Sequence, residues 1–155
     1  MDTKTCKNCK QERPIDQFEH FGSRSSTRSI CNSCKSSSRN KVYSSDYEKY
    51  LRRLHSKLKY SRQKTHDWKL EADELIEIWK AQNGKCAVSG VNMTHHVDGG
   101  GHKEFNASID RINPDGGYNP QNVQLVAYRV NMMRHTLSID MFWWWIKNIH
   151  DTSID

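Results

Sequence analysis

The chain has 155 residues, with 24 Lys/Arg against 18 Asp/Glu and a formal net charge of +6. That length holds one catalytic domain of ordinary size with a small appendage and leaves little room for a second enzyme. The longest apolar run, Met141 to Ile146, falls far short of the roughly 20 residues that cross a bilayer, and the start is polar rather than signal-like, so a soluble, cytoplasmic, non-secreted protein is expected.

Four of the five cysteines form two C-x2-C pairs, Cys6 with Cys9 and Cys31 with Cys34. Without a secretion signal such knuckles point to zinc rather than to disulfides, because reducing compartments keep thiols free and Zn2+ favours four thiolates in a tetrahedron. Between the knuckles lies Asp16 to Phe21, whose two phenylalanines, Phe18 and Phe21, can cover the metal, followed by the polar run Gly22 to Ser29. A zinc-held loop module over residues 1–38 builds little core, so the metal would supply its folding free energy.

From Ser44 to about Lys64 the chain lacks Gly and Pro and sets Tyr47, Tyr50, Leu51, Leu54 and Leu58 at helical spacing, which predicts a basic amphipathic helix. Residues 1–34 carry six Lys/Arg against four Asp/Glu, residues 35–69 eleven against three, and residues 70–155 seven against eleven. A basic stretch between neutral and acidic ones suits a polyanion, since each cation near a phosphate releases counterions; a solvated helix face is the plainer alternative. Residues 39–69 are therefore read as a polyanion-contacting segment, with Arg52, Arg53, Lys57, Lys59, Arg62 and Lys64 as its candidate phosphate contacts.

A second helix is predicted from about Glu71 to Gln82, with acidic residues in its first turn and Asn83-Gly84 as its stop. After the loop Gly99-Gly100-Gly101, Lys103 to Ile112 reads as a strand, Pro114 to Gly117 as a turn and Val123 to Val126 as a second strand. Ala127 to Arg134 should be a helix, and Ser138 should cap another that carries Met141, Phe142, Trp145, Ile146 and Ile149. Trp143, Trp144 and Trp145 cannot share one helix face; core packing is the simpler expectation, with at least one meeting another element or a partner.

The order strand, turn, strand, helix places three polar residues usefully. Were the helix to cross the hairpin, the Asp110 carboxylate and the Asn131 amide oxygen could point at one hard cation, Mg2+ or Mn2+, with waters and phosphate oxygens completing its shell. Asn122, with donors and an acceptor, would tie the loop backbone in place.

The segment Ser108-Ile109-Asp110-Arg111-Ile112-Asn113-Pro114, then Gly117-Tyr118-Asn119-Pro120-Gln121-Asn122, then Asn131, resembles the HNH or ββα-metal endonucleases. It is closest to phage-encoded freestanding nucleases and to zinc-containing rare-cutting restriction enzymes of that group. The resemblance implies single-metal phosphodiester hydrolysis of double-stranded DNA, with Asp110 and Asn131 holding the cation. Most members have His directly after the metal-binding Asp, where this chain has Arg111. An arginine does not deprotonate in proteins, so it is suited to holding the scissile phosphate rather than to acting as base. Similar members carry a His at about the position of His66, before the tryptophan that corresponds to Trp79, so His66 is the expected base, against the plainer alternative of a surface linker residue contacting phosphate. His95, His96 and His102 are alternatives, and His135 sits at the far end of its helix. Cys86-x2-Ser89 resembles a position where some relatives carry a second cysteine pair; with Ser89 no thiolate, Cys86 is expected to be a small buried residue.

The reading is thus an α+β protein: a zinc module (1–38), a basic helical segment (39–69) and a ββα-metal nuclease core with a C-terminal helix (70–155). The activity is metal-dependent DNA strand cleavage, and a homodimer is compatible with it. The rivals are a catalytically silent zinc-dependent DNA-binding module and an RNA-directed version of the same fold.

Overall fold

A computed structural model of the chain describes residues 2–21, 26–97 and 103–153. The Gly99-Gly100-Gly101 loop, His102 and the side chain of Phe21 lie outside the described residues. The architecture is mixed helix and strand, built from three separate two-stranded antiparallel sheets and five α-helices among those residues.

The N-terminal module is two hairpins and the start of a helix. Strands β1 (Thr3–Thr5) and β2 (Glu12–Pro14) flank the turn that carries Cys6 and Cys9. Strands β3 (Phe18–Phe21) and β4 (Ser26–Cys31) form the second hairpin, which delivers Cys31 to the N-cap of α1 (Asn32–Ser45) and Cys34 to its first turn. Helix α1 runs straight through the expected module boundary at residue 38. Its Ser-rich sequence is a poor helix former by itself. It is held at both ends instead, by the cysteine knuckle at its start and by the core near its finish, where Ser44 Oγ accepts from the Val97 N–H at 3.0 Å.

Asp46 breaks the chain with extended backbone and caps α2 (Tyr47–Arg62), accepting from the Glu48 and Lys49 N–H groups at 3.0 and 3.2 Å. The Lys49 N–H, aided by the Lys49 ammonium, holds the Asp46 carboxyl below the usual range. Leu51 is fully buried, and Tyr47, Tyr50, Leu54 and Leu58 pack on the same core as α3 (Ala72–Ala81) and the C-terminal hairpin. The basic segment is therefore no separate unit, because its apolar stripe is part of the core assigned to residues 70–155.

Helix α3 opens with a capping box between Glu71 and Glu74 and stops at Asn83 and Gly84, both with positive φ. Strands β5 (Ala107–Arg111) and β6 (Val123–Ala127) pair with Ala107 opposite Ala127 and Arg111 opposite Val123. The expected strand from Lys103 is shorter than the pattern suggested: Lys103–Phe105 is a 3-10 turn, and buried Asn106 leaves the strand register to bond the Thr94 hydroxyl and both backbone groups of His96. The free edge of β6 is covered by a side chain, Gln82, whose amide exchanges two hydrogen bonds with the backbone of Leu125. Helix α4 (Tyr128–Arg134) follows β6 directly, and α5 (Ile139–Thr152), capped by Ser138, touches the rest of the chain only sparsely. Core packing of Trp143, Trp144 and Trp145 is not observed: all three are about half exposed, and Phe142 is the one buried residue of α5.

Candidate metal centre and hairpin cleft

The sulfurs of Cys6, Cys9, Cys31 and Cys34 lie within 4.8 Å of one another. A tetrahedron with metal–sulfur bonds of about 2.3 Å has edges of about 3.8 Å, so this donor set fits Zn2+. Cys6, Cys31 and Phe18 are buried together, which gives the site its apolar lid. The Cys31 N–H donates to Cys6 Sγ at 3.3 Å. That bond, with others from the backbone of Cys9 and Asn8, outweighs burial and brings the Cys6 thiol down to about 6. At Cys34 a hydrogen bond from Asn8 lowers the thiol, but bonds with the neighbouring thiols and burial outweigh it and push it up to about 11. Four sulfurs this close favour one thiolate and resist a second unless a cation joins them.

The second constellation is a cleft of about 320 Å3 between the hairpin, α2 and α4, whose walls include Ser108, Asp110, Arg111, Asn131 and His135. Helix α4 crosses β5, so that the Asn131 amide donates to Ser108 Oγ at 2.7 Å and to the Ile109 carbonyl at 3.2 Å. These bonds use the amide nitrogen and leave the amide oxygen as an uncommitted acceptor. Asp110 is buried, and both of its oxygens are engaged: Oδ2 accepts from the Gln124 amide at 2.9 Å, and Oδ1 from Arg134 Nη1 at 2.5 Å. Arg134 is only 1% exposed, and it also donates to the carbonyls of Arg111 (2.9 Å) and Ile112 (2.8 Å). Its Nε has no hydrogen-bond partner among the described residues. The sequence reading missed this ion pair, because a cation ending a helix ordinarily faces solvent and the macrodipole.

Arg111 donates to the Gly116 carbonyl at 2.9 Å and stacks its guanidinium 5.2 Å from the Tyr118 ring centre. The two glycines of the turn permit tight approaches: a Cβ on Gly117 would come within 2.6 Å of the Asp67 carbonyl oxygen. That approach zips residues 67–69 onto the hairpin loop, through Tyr118 N–H to Asp67 O at 2.8 Å and Lys69 N–H to Tyr118 O at 2.7 Å. His66 thereby packs edge-on against Tyr118, ring centres 5.6 Å apart, with Thr65 Oγ1 2.9 Å from its Nδ1. It is not among the residues that line the cleft. Asn122 bonds the Asn113 N–H and the Asn113 and Gly117 carbonyls at 2.9 to 3.1 Å, which locks the turn; its amide faces loop backbone, not the cleft.

No model of a known protein family matches the sequence, and no curated protein matches it. Among solved structures, the chain is similar to the rare-cutting HNH restriction endonuclease PacI, at 14% identity, over 96% of this chain and 94% of that one, with a TM-score of 0.42. At that overlap the two folds superpose only loosely, and the chemistry of this chain rests on its own residues.

Among the described histidines, His135 is the one that lines the cleft. Its Nδ1 lies 3.1 Å from Thr136 Oγ1, and its backbone is left-handed (φ 50°, ψ −114°), a combination rare for a non-glycine residue. The helix ends at Arg134, as expected, but the turn that follows sets His135 on the cleft and not away from it at the helix's far end. His95 and His96 lie over the core near Tyr43 and Asn106, and His55 is buried with Nε2 2.9 Å from the Leu70 carbonyl.

The six cations expected on phosphates do not share a face. Arg52 and Lys59 are ion-paired to Asp73 and Glu71 at the acidic start of α3. Arg62 lines the hairpin cleft. Arg53 and Lys57, with the Asp73-paired Arg52, line a groove of about 780 Å3 between α1 and α2 together with Arg39, Tyr43, Lys49 and Tyr60, where the Arg53 guanidinium lies 4.7 Å over Tyr43. Lys64 is exposed and has no carboxylate partner among the described residues.

Cys86 is buried and stands apart from the four-sulfur cluster. Burial alone would raise its thiol, but the Ser89 hydroxyl and backbone N–H groups bond it and bring the net shift downward. The turn it begins repeats the first knuckle: Cys86 N–H to Val91 O, Gly90 N–H to Cys86 O and a positive φ at Gly90, against Cys6 N–H to Gln11 O, Lys10 N–H to Cys6 O and a positive φ at Lys10. Each of these four bonds measures 2.9 Å.

Proposed function

We propose that the protein is a divalent-metal-dependent DNA endonuclease with a structural zinc centre at Cys6, Cys9, Cys31 and Cys34. The observation that carries this reading is the convergence of Asp110, Arg111 and Asn131 on one cleft that also receives Arg62 of the basic helix. A carboxylate with two acceptor sites beyond its bonds to Arg134 and Gln124, beside the open amide oxygen of Asn131, fits a hard cation that keeps several waters, Mg2+ or Mn2+. Bound there, the ion would supply charge stabilisation at the scissile phosphate. Arg111, stiffened by Tyr118 and the Gly116 carbonyl, has further guanidinium donors for the phosphate oxygens. His135 is the better placed proton acceptor: with Nδ1–H donating to Thr136 Oγ1, Nε2 is free to take a proton from water. His66, against the outer face of Tyr118, is the second candidate. Arg53, Lys57 and Arg62 hold the backbone of double-stranded DNA, while Asn122 shapes the loop. The resemblance to phage-type HNH enzymes with a ββα-metal core belongs to the same proposal.

One observation favours the rival reading of a silent DNA-binding module: Arg134 already neutralises Asp110, which weakens its pull on a cation. Plasmid nicking with and without Mg2+ or Mn2+ separates the two. Metal-dependent nicking that Asp110→Asn abolishes while DNA binding persists supports the nuclease; binding without nicking at any divalent ion concentration leaves the silent module. His135→Ala should cut poorly and lose the acid limb of the pH profile, and the same result from His66→Ala alone would move the base to His66.

A further inference from the structure

Helix α5 buries Phe142 and presents an outward face that none of the described residues covers. Its 14 residues span about 21 Å, and a helix of that length standing alone is marginal in water. Yet it carries Met141 (45% exposed), Trp143 (47%), Trp144 (52%), Trp145 (48%) and Ile149 (61%). At 100° per residue the charged and titratable residues Asp140, Lys147, His150 and Asp151 fall within one arc of about a third of the helix. The remaining arc is uncharged. Phe142 and Ile146 at one side of it turn inward, and Trp144, Met141, Trp145 and Ile149 are left facing out.

We propose that this stripe is a self-association surface, and that its occupant is α5 of a second copy of the chain, packed antiparallel about a two-fold axis near Trp145. Trp145 then meets its own counterpart, and each Met141 lies opposite the partner's Ile149, a self-complementary arrangement of the isologous kind. The area is of the right order: a standard interface buries about 800 Å2 per partner, of which roughly 500 Å2 is apolar, and the four large apolar side chains of the stripe, at about half exposure, offer on the order of 400 Å2. The charge pattern agrees too. A stripe without Lys or Arg gives nucleic acid and anionic lipid nothing to hold, whereas two uncharged stripes bury each other without stranding an ion.

The test is sedimentation equilibrium of the full-length, zinc-loaded protein across a wide concentration range, with tryptophan emission followed on the same samples. The expected result is a species of twice the 18.2 kDa chain mass, with emission shifting to the blue as it forms. Each body carries a charge of +6, so raising salt should leave the dimer intact or tighten it. Trp145→Glu and Ile149→Glu, at exposed positions, should each weaken association at least tenfold with helix content and zinc content unchanged. Lys147→Glu, on the opposite arc, should leave it alone. A monomer at every concentration, a dimer that both stripe variants leave untouched, or one that Lys147→Glu or salt disrupts equally would overturn the proposal. So would a monomer whose α5 instead inserts into neutral lipid vesicles.

Discussion

Replacing Arg134 by Met deletes a guanidinium that is 1% exposed and makes three hydrogen bonds, one of them to a buried carboxylate. Methionine can fill much of the vacated volume, so the loss is chiefly electrostatic. Asp110 is left buried with only the Gln124 amide, and the carbonyls of Arg111 and Ile112 each lose a donor. Removing one partner of a buried ion pair costs roughly 3–5 kcal/mol. For a domain of this size that lowers Tm by roughly 10 °C, at about 2–4 °C per kcal/mol. Asp110→Leu strands the guanidinium and should cost a similar amount. The double variant Arg134→Met/Asp110→Leu removes both charges and should cost clearly less than the sum, a coupling of about 2 kcal/mol or more. Urea unfolding of all four proteins measures the cycle. A cost under about 1 kcal/mol for Arg134→Met, or additive single effects, would refute the buried pair. The same logic makes Asp110→Asn, which keeps an acceptor toward Arg134, the safer probe of cleavage than Asp110→Ala.

Purified protein should carry one zinc per chain, and a chelator should expose four reactive thiols while Cys86 stays slow, counted by thiol titration before and after metal removal. Neutralising Arg53, Lys57 and Arg62 together should reduce the salt slope of DNA affinity by about 0.9 for each phosphate that is no longer neutralised; the pair Arg52→Gln and Lys59→Gln, already matched by Asp73 and Glu71, should change it little. Gly117→Ala should destabilise by roughly 1–3 kcal/mol in urea unfolding, because the added carbon meets the Asp67 backbone rather than a movable side chain. The Asp46 carboxyl has a folded pKa below its unfolded one, so its contribution is present above the ordinary range near roughly pH 4 and lost as pH falls through the folded value. Asp46→Asn should flatten that acid loss of stability.

Where local pattern and tertiary packing agree, the elements were legible. The acidic first turn and Asn83-Gly84 delimit α3, and the D-R-I…G-Y-x-P-x-N stretch maps onto the end of β5 and the turn that leads into β6. Helix α1 was hidden because its order comes from Cys31, Cys34 and Ser44 rather than from its own propensity. The split of the basic helix into three directions was hidden too, since charge counts say nothing about which cations have carboxylates waiting on α3. Arg134 and His135 escaped for a related reason: what each does depends on a strand twenty-odd residues earlier and on a chain reversal that no periodicity announces.

The twin turns at residues 6–11 and 86–91 separate two jobs that a metal site usually merges. Since the second keeps its shape with a serine in place of one thiol, main-chain bonding suffices to build the loop, and an ion at the first arrives at a half-site already preorganised. Its distinctive work is then to fasten that loop to the start of α1. Metal loss should unhinge the first hairpin from the helix before it unravels the turn itself. By the same token, Ser89→Cys would complete a bidentate thiol clip in one step, a chelator arm waiting for two further ligands.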